Sequence, residues 1–137
     1  MNKDNVEKVY EQLKHIDEDK IKEIHDEAIK IGGAWNNGIR DEGSLFYLVE
    51  LLKRMIKRKE DMITIAARIM AFIIKEHPFW DGNHRTAFEL AQLILRAFGY
   101  EMKIDREEAQ TFIRSIDRSD IKEETIKKWI KKKTQPI

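Results

Sequence analysis

Apolar residues recur at steps of three and four positions along nearly the whole chain, which is the pattern of amphipathic helices. The second helix of this series is predicted to begin at Asp17 and to stop at Gly32 and Gly33. Residues 32–38 are rich in Gly and Asn and predict a mobile, exposed loop. A third helix is predicted over residues 44–58, and its inward face is formed by Leu45, Leu48, Val49, Leu52, Met55 and Ile56.

Two helices further along the chain are apolar on nearly every side. They are predicted over residues 62–74 and 87–98, and helices of this kind belong in the middle of a bundle. Asp105 and Asp120 are predicted to cap two final helices, and residues 100–104 have the pattern of a short strand. The sequence therefore predicts an all-α fold, a compact helical bundle with two buried central helices flanking a loop.

Composition narrows the class of protein. The chain has 137 residues, which fits one domain over residues 1–137, and its lack of Cys excludes disulfides, a thiol nucleophile and a Cys-ligated zinc site. It shows no apolar run long enough to span a membrane and no signal-peptide pattern, so we expect a cytoplasmic protein. The 26 basic residues are balanced by 25 acidic ones, which argues against nucleic-acid binding, although residues 53–59 form a basic patch.

The connection between the two apolar helices concentrates polar residues. Pro78 ends the preceding helix and is expected to push His77 toward an extended conformation. The following helix must begin near Gly82 or Asn83. The N–H groups of Gly82, Asn83 and His84 then lie at a helix start, where they can bind an anion.

Three side chains of this connection suit the transfer of a phosphoryl or nucleotidyl group. His77 can take a proton from a hydroxyl, Asp81 can hold Mg²⁺, and Arg85 can bind phosphate. Each also has a simpler interpretation, since a His near a helix end is often a cap, Asp-Gly-Asn is a common turn, and Arg85 could pair with Glu89. Their combination within residues 77–85 favours a functional site.

The other aromatic and imidazole side chains are expected to be structural. Phe79 or Trp80 is predicted to bury itself between the central helices and thereby pin the loop. His15 and His25 lie on charged helices and are predicted to be surface or half-buried residues. Zinc is not expected, because the histidines lack a third His or Cys partner at the usual spacing.

The segment HPFWDGNHRTA, residues 77–87, resembles the signature of the Fic/Doc family, which is highly specific. Residues 24–29, 32–33 and 38–45 are similar to the N-terminal part of the death-on-curing (Doc) branch of that family. Together the two agreements span roughly residues 20–100. The resemblance implies the family fold, an all-α bundle, in agreement with the periodicity.

The resemblance implies an enzyme that transfers part of a nucleoside triphosphate, here ATP, to a hydroxyl of a target protein. In such proteins the motif His, here His77, deprotonates the target hydroxyl, and the motif acid, here Asp81, holds Mg²⁺. The residues implied to bind phosphates are Gly82, Asn83, His84 and Arg85. The flap against which the target docks corresponds to Gly38, Arg40 and Asp41.

Two departures from the family pattern separate its branches. Members that transfer AMP carry Gly where this chain has His84 and a second Arg where it has Phe88. Doc proteins carry Lys at the first of these positions and lack the second Arg. The resemblance therefore favours a Doc-like toxin that transfers the γ-phosphate of ATP to a Ser or Thr hydroxyl of a translation elongation factor, elongation factor Tu being the best known family target.

Three alternatives stay open. The chain could transfer AMP instead of phosphate, or it could be a catalytically degenerate binding module that has lost turnover because His84 replaces Lys. Nucleic-acid binding through residues 53–59 and the Lys-rich tail, residues 120–137, ranks last. The resemblance also implies a small, partly disordered antitoxin that binds across the cleft, and no membrane partner is expected.

Overall fold

The computed structural model describes residues 2–32 and 38–137, and this part of the chain forms seven helices and a two-stranded sheet. Most of the loop predicted over residues 32–38 lies outside the described residues. No helix of the described residues has the length and apolar character needed to cross a membrane. The elements are α1 (Lys3–Leu13), α2 (Glu18–Gly32), α3 (Glu42–Lys57), α4 (Met62–Glu76), α5 (Asn83–Ala97), β1 (Tyr100–Met102), α6 (Arg106–Arg118), α7 (Glu123–Lys133) and β2 (Thr134–Pro136).

The two helices that are apolar on nearly every side, α4 and α5, form the centre of the bundle. Ile65 and Ile73 of α4 and Leu90 and Ile94 of α5 are fully buried. α2 packs against α5, while α3 and α7 pack against α4. The six residues predicted for the inward face of α3 are all buried. The all-α bundle with two buried central helices is therefore confirmed, and the loop between α4 and α5 is held at both ends.

Of the three helix starts predicted from a capping Asp, two are confirmed and one is wrong. The caps predicted at Asp17 and Asp105 are confirmed, because each carboxylate accepts a backbone N–H at 2.8 Å. The cap predicted at Asp120 is wrong. α7 begins later, at Glu123, whose carboxylate lies 2.6 Å from Nε of Arg68 on α4. The contact with α4, which is remote in sequence, helps to place this helix start.

The short strand predicted within residues 100–104 is observed as β1, but its partner β2 is not among the predicted elements. The two strands pair antiparallel, with Glu101 opposite Gln135. The side-chain amide of Gln92 on α5 bonds both the N–H and the carbonyl oxygen of Met102, at 2.8 and 3.1 Å. The sheet is thereby fastened to the central helix α5.

Candidate active site

The connection between α4 and α5 begins with a strained backbone conformation at His77. Its φ of 50° and ψ of 63° lie in the left-handed region, so the extended conformation expected before Pro78 is wrong. The left-handed form avoids the right-handed helical region, which Pro disfavours for the preceding residue, and lets the N–H of His77 donate to the carbonyl oxygen of Ile73 at 3.1 Å. Since this form costs a non-glycine residue roughly 1–2 kcal/mol, other contacts must hold it.

The side chain of Arg40 holds this turn from outside. Its Nε and Nη2 atoms donate to the carbonyl oxygens of His77 and Glu76, each at 2.6 Å. These carbonyls lie at the C-terminal end of α4, where the helix dipole favours a cation. The backbone N–H groups of Arg40 and Asp41 both donate to the carbonyl oxygen of Pro78, at 2.8 and 3.1 Å. Arg40 therefore stabilises the turn that carries His77.

The rest of the predicted flap also lies against the loop. The carbonyl oxygen of Gly38 accepts the N–H of Trp80 at 3.1 Å, and Ile39 forms an antiparallel bridge with Phe79. Asp41 caps α3, and the backbone N–H that it accepts there holds the pKa of its carboxyl below the usual range. None of the three flap residues is among the described residues that line the cavity in front of the loop, and their role in docking a target stays a prediction.

Phe79 and Asn83 fix the loop from within. Phe79 is only 1% exposed whereas Trp80 is 52% exposed, so Phe79 is the aromatic residue that pins the loop. The side-chain amide of Asn83 accepts the N–H of Phe79 at 3.1 Å and donates to its carbonyl oxygen at 2.8 Å. The oxygen and the nitrogen of that side-chain amide are therefore both engaged inside the loop. Only the backbone N–H of Asn83 is left to make the phosphate contact that we predict for this residue.

His25 of α2 supports the loop from the other side, and the prediction that it is a surface or half-buried residue is wrong. It is 1% exposed, and its ring stacks on Phe79 with centroids 3.8 Å apart. Its Nε2 lies 2.7 Å from the carbonyl oxygen of Asp81 and must therefore carry a hydrogen. At Gly82, where φ is 78°, a Cβ would lie 2.7 Å from Cγ2 of Ile29. α2 therefore leaves room only for glycine at this position.

Replacing His25 with Phe is expected to lower the free energy of unfolding by about 1 kcal/mol or more, because the part-buried carbonyl of Asp81 loses its donor. The new ring can still stack on Phe79, so the change isolates the hydrogen bond. Urea denaturation measures the effect. The matched control is His15→Phe at an exposed position, with an expected change below about 0.5 kcal/mol. Equal effects of the two substitutions would contradict this role for His25.

The loop and the start of α5 line a cavity of about 480 Å³. α5 begins at Asn83, directly after Gly82, as predicted, and Gly82, its N-cap residue, has no side chain that could cap the first turn. The first N–H groups of a helix have no acceptor within the helix, so this end of α5 can bind an anion. The structure brings the motif residues predicted for the site to this cavity, namely His77, Asp81, Gly82, Asn83, His84 and Arg85.

Arg85 lines this cavity and carries one buried donor without a partner among the described residues. This donor is its Nη1 atom. The alternative ion pair with Glu89 is not formed within the described part of the chain. A buried cationic donor without an acceptor is unfavourable, and a bound anion would remove that penalty.

The carboxylate of Asp81 is an oxygen ligand of the kind that Mg²⁺ uses. Oδ1 of Asp81 accepts the N–H of Gly82 at 2.8 Å, and a carboxylate can accept several further contacts. Residues 2–32 and 38–137 contain no group of three or more side chains of the kinds that hold a metal ion. Mg²⁺ needs only one or two carboxylates when phosphates and waters complete its coordination, whereas zinc needs three or four protein ligands. Mg²⁺ at Asp81 stays a prediction.

Asp117 of α6 stands beside the cavity, and sequence reasoning missed it. Its Oδ2 lies 2.8 Å from Nε2 of His84, and its Oδ1 lies 3.5 Å from Nε2 of His77. No local signal marks this residue, because an acidic side chain on an amphipathic helix is ordinarily a solvated one. The packing of α6 against α4 and α5 brings it to the site.

A second cavity, of about 810 Å³, adjoins the first between α2, α5 and α6. His84 and Arg85 line both cavities, while His77 and Asp81 line only the smaller and Phe88 only the larger. The larger cavity therefore has more apolar wall than the smaller one, although charged residues such as Lys20 and Glu23 also line it. The apolar lining of the larger cavity includes Ile24, Ala28, Phe88, Leu93, Ile104, Ala109 and Ile113.

A comparison with models of protein families finds a match over the part of the chain that carries the loop. The model of the Fic/DOC family matches residues 15–95, which is more than half of the 137-residue chain. The matched range includes the loop from His77 to Gly82 and ends before α6, so Asp117 lies outside it. A search of curated proteins finds no match to the chain.

Proposed function

The chain belongs to the Fic/DOC family, and from that membership we propose that it is a Mg²⁺- and ATP-dependent protein kinase of the Doc type. Proteins of the family are enzymes that transfer nucleotide-derived groups to other proteins. Which group is transferred depends on which phosphate of the nucleotide lies beside the base. The arrangement of the two cavities favours the γ-phosphate.

The larger cavity, which His77 does not line, offers a place for the nucleoside. A nucleobase and its ribose suit apolar walls, whereas a triphosphate needs N–H donors and cations. With the nucleoside in the larger cavity and the phosphates at Arg85 and the start of α5, the terminal phosphate lies nearest to His77. AMP transfer instead needs the α-phosphate, and hence the ribose, beside His77. This order of cavities along α5 is the observation that carries the proposal.

Two motif positions support the same orientation. AMP-transferring members use an Arg, where this chain has Phe88, to hold the terminal phosphates. Phe88 instead contributes an apolar wall to the larger cavity. His84 stands where Doc proteins have Lys, and its imidazole can likewise donate a hydrogen bond to phosphate.

In the proposed reaction His77 is the general base. Its imidazole takes the proton of the target hydroxyl, the hydroxyl oxygen bonds to the γ-phosphorus, the bond from that phosphorus to the β–γ bridging oxygen breaks, and ADP leaves. Arg40 keeps the backbone of His77 in place. Arg85 and the N–H groups of α5 bind the phosphates and the charge that develops on them. Mg²⁺, held by Asp81, would supply further neutralisation of phosphate charge.

The proposed target is a Ser or Thr hydroxyl of a protein, with a translation elongation factor as the first candidate. The flap, Gly38, Arg40 and Asp41, is the proposed docking surface because it lies directly against the loop that carries His77. The side chains of Arg40 and Asp41 already have structural partners, so docking there is expected to use the backbone. An antitoxin protein is the expected partner in the cell.

Incubating the protein with Mg²⁺, cell extract and either γ-labelled or α-labelled ATP tests the proposal. We expect label to enter a protein from γ-labelled ATP and not from α-labelled ATP, and purified elongation factor Tu serves as a first defined target. Label that enters only from α-labelled ATP would establish AMP transfer and contradict the kinase. No labelling from either nucleotide by a protein that binds ATP would indicate a binding module.

A further inference from the structure

Two residues of α6, Arg106 and Gln110, line both cavities. They are four positions apart on the helix, so their side chains lie on the same face of α6. Both lie outside residues 15–95, the range matched by the family model. The described residues that the two cavities share are Ala28, His84, Arg85, Arg106 and Gln110, and we call this set the junction.

The acidic side chains around the cavities avoid the junction. Its two permanently charged residues, Arg85 and Arg106, are both basic. Each acidic residue among the described lining residues lines one cavity alone, Asp81 the smaller one and Glu23, Glu27, Glu89 and Asp105 the larger one. The junction is therefore the most positive part of the combined space, and this charge favours an anion there.

The guanidinium of Arg106 is available to a ligand. Within the part of the chain that the structure describes, it forms no ion pair and no side-chain hydrogen bond. Two nearby acids have other partners, since Asp105 accepts the N–H of Glu108 and the carboxylate of Glu108 pairs with Lys133. Arg106 is also the first residue of α6, where a cation opposes the helix dipole. A bound anion would offset this cost.

The nucleotide orientation proposed above puts phosphates at the junction. When the nucleoside occupies the larger cavity and the terminal phosphate lies beside His77 in the smaller one, the phosphates nearer to the ribose have to cross the junction. A guanidinium suits this position, because it can donate two parallel N–H groups to phosphate oxygens. Arg85 on α5 and Arg106 on α6 then approach the phosphates from two different helices.

We propose that Arg106 is a second phosphate-binding residue, which holds the α- and β-phosphates of the nucleotide from the side of α6. The proposal rests on the proposed function, because it takes the nucleoside to occupy the larger cavity. It supplies a second cation in a chain that has Phe88 where AMP-transferring members have their second Arg. Since the β-phosphate leaves with ADP, the same guanidinium stabilises the charge that develops on the leaving group.

Calorimetric titration of Arg106→Gln with inorganic tripolyphosphate and with ADP tests this proposal. Gln keeps a polar side chain and removes the charge, so we expect both anions to bind about fivefold or more weakly than to the native protein. Affinity for adenosine, which has no phosphate, is expected to change by less than about twofold. Arg106→Lys should retain part of the affinity for the anions, because it keeps the charge and loses the planar fork.

The matched controls are Arg114→Gln and Arg118→Gln, which remove the same charge from exposed positions of α6. Arg114 lines the larger cavity alone, and Arg118 lines neither cavity. Each control is expected to change the affinity for tripolyphosphate by less than about twofold. Arg106→Gln is expected to keep the native Tm, because Arg106 has no side-chain partner to lose among the described residues.

Native affinity of Arg106→Gln for tripolyphosphate and ADP overturns the proposal, and so does a lack of tripolyphosphate binding by the native protein. An equal loss of affinity in Arg118→Gln also overturns it, because the effect would then reflect net charge alone. The labelling assay on the same variants reports separately on the proposed function. Weaker anion binding by Arg106→Gln, with label entering only from α-labelled ATP, supports the role of Arg106 and refutes the kinase. Transfer from γ-labelled ATP with unchanged affinity refutes the role of Arg106 alone.

Discussion

Replacing His77 with Ala is expected to reduce the transfer of label from γ-labelled ATP to protein by about 10²–10⁴-fold, the usual contribution of a general base. Binding of ATP is expected to persist, because Arg85 and the N–H groups of α5 stay in place. The fold is expected to persist as well, since the side chain of His77 is partly exposed and Arg40 holds its backbone. Transfer is measured at saturating ATP, and affinity by titration calorimetry.

The matched control for this substitution is His15→Ala, which removes an exposed imidazole that does not line the cavity. Its transfer rate is expected to equal that of the native protein. If His77→Ala keeps more than about a tenth of the native rate, proton abstraction by His77 is not part of the reaction.

Replacing Arg85 with Met is expected to weaken ATP binding by about tenfold or more without destabilising the protein. A hydrogen bond to a charged group contributes about 1.5–3 kcal/mol, which corresponds to roughly 10- to 150-fold in Kd. Nη1 of Arg85 is buried without a partner among the described residues. Met removes this penalty and fills similar space, so the free energy of unfolding is expected to stay constant or to rise by up to about 1 kcal/mol.

The prediction is specific because Arg85→Met is expected to weaken ATP binding while the free energy of unfolding does not fall. Thermal unfolding and ATP titration are measured on the same samples, with Arg58→Met as the control that removes an equal charge from an exposed position at the end of α3. A stability loss above about 1 kcal/mol with unchanged ATP affinity would show that Arg85 is a structural residue.

Most of the helices can be predicted from the sequence because their apolar spacing and their caps are local features. The inward face of α3 follows from the spacing of its apolar residues, and Asp17 and Asp105 act as caps on their own first turns. Prediction failed where a partner remote in sequence intervenes. β2 exists only because it pairs with β1, and Glu123 at the start of α7 contacts Arg68 on α4.

The candidate site likewise combines local features, which the sequence predicts, with contacts between residues far apart in the chain, which it does not. The sequence by itself placed His77, Asp81 and Arg85 together, because a short connection between two buried helices keeps contiguous residues close in space. Only the tertiary structure decided what surrounds them. The supporting contacts join residues far apart in the chain, His25 to Asp81 across 56 positions, Arg40 to His77 across 37 and Asp117 to His84 across 33. Such contacts depend on how helices pack, and packing leaves no periodic signal in the polar residues that it brings together.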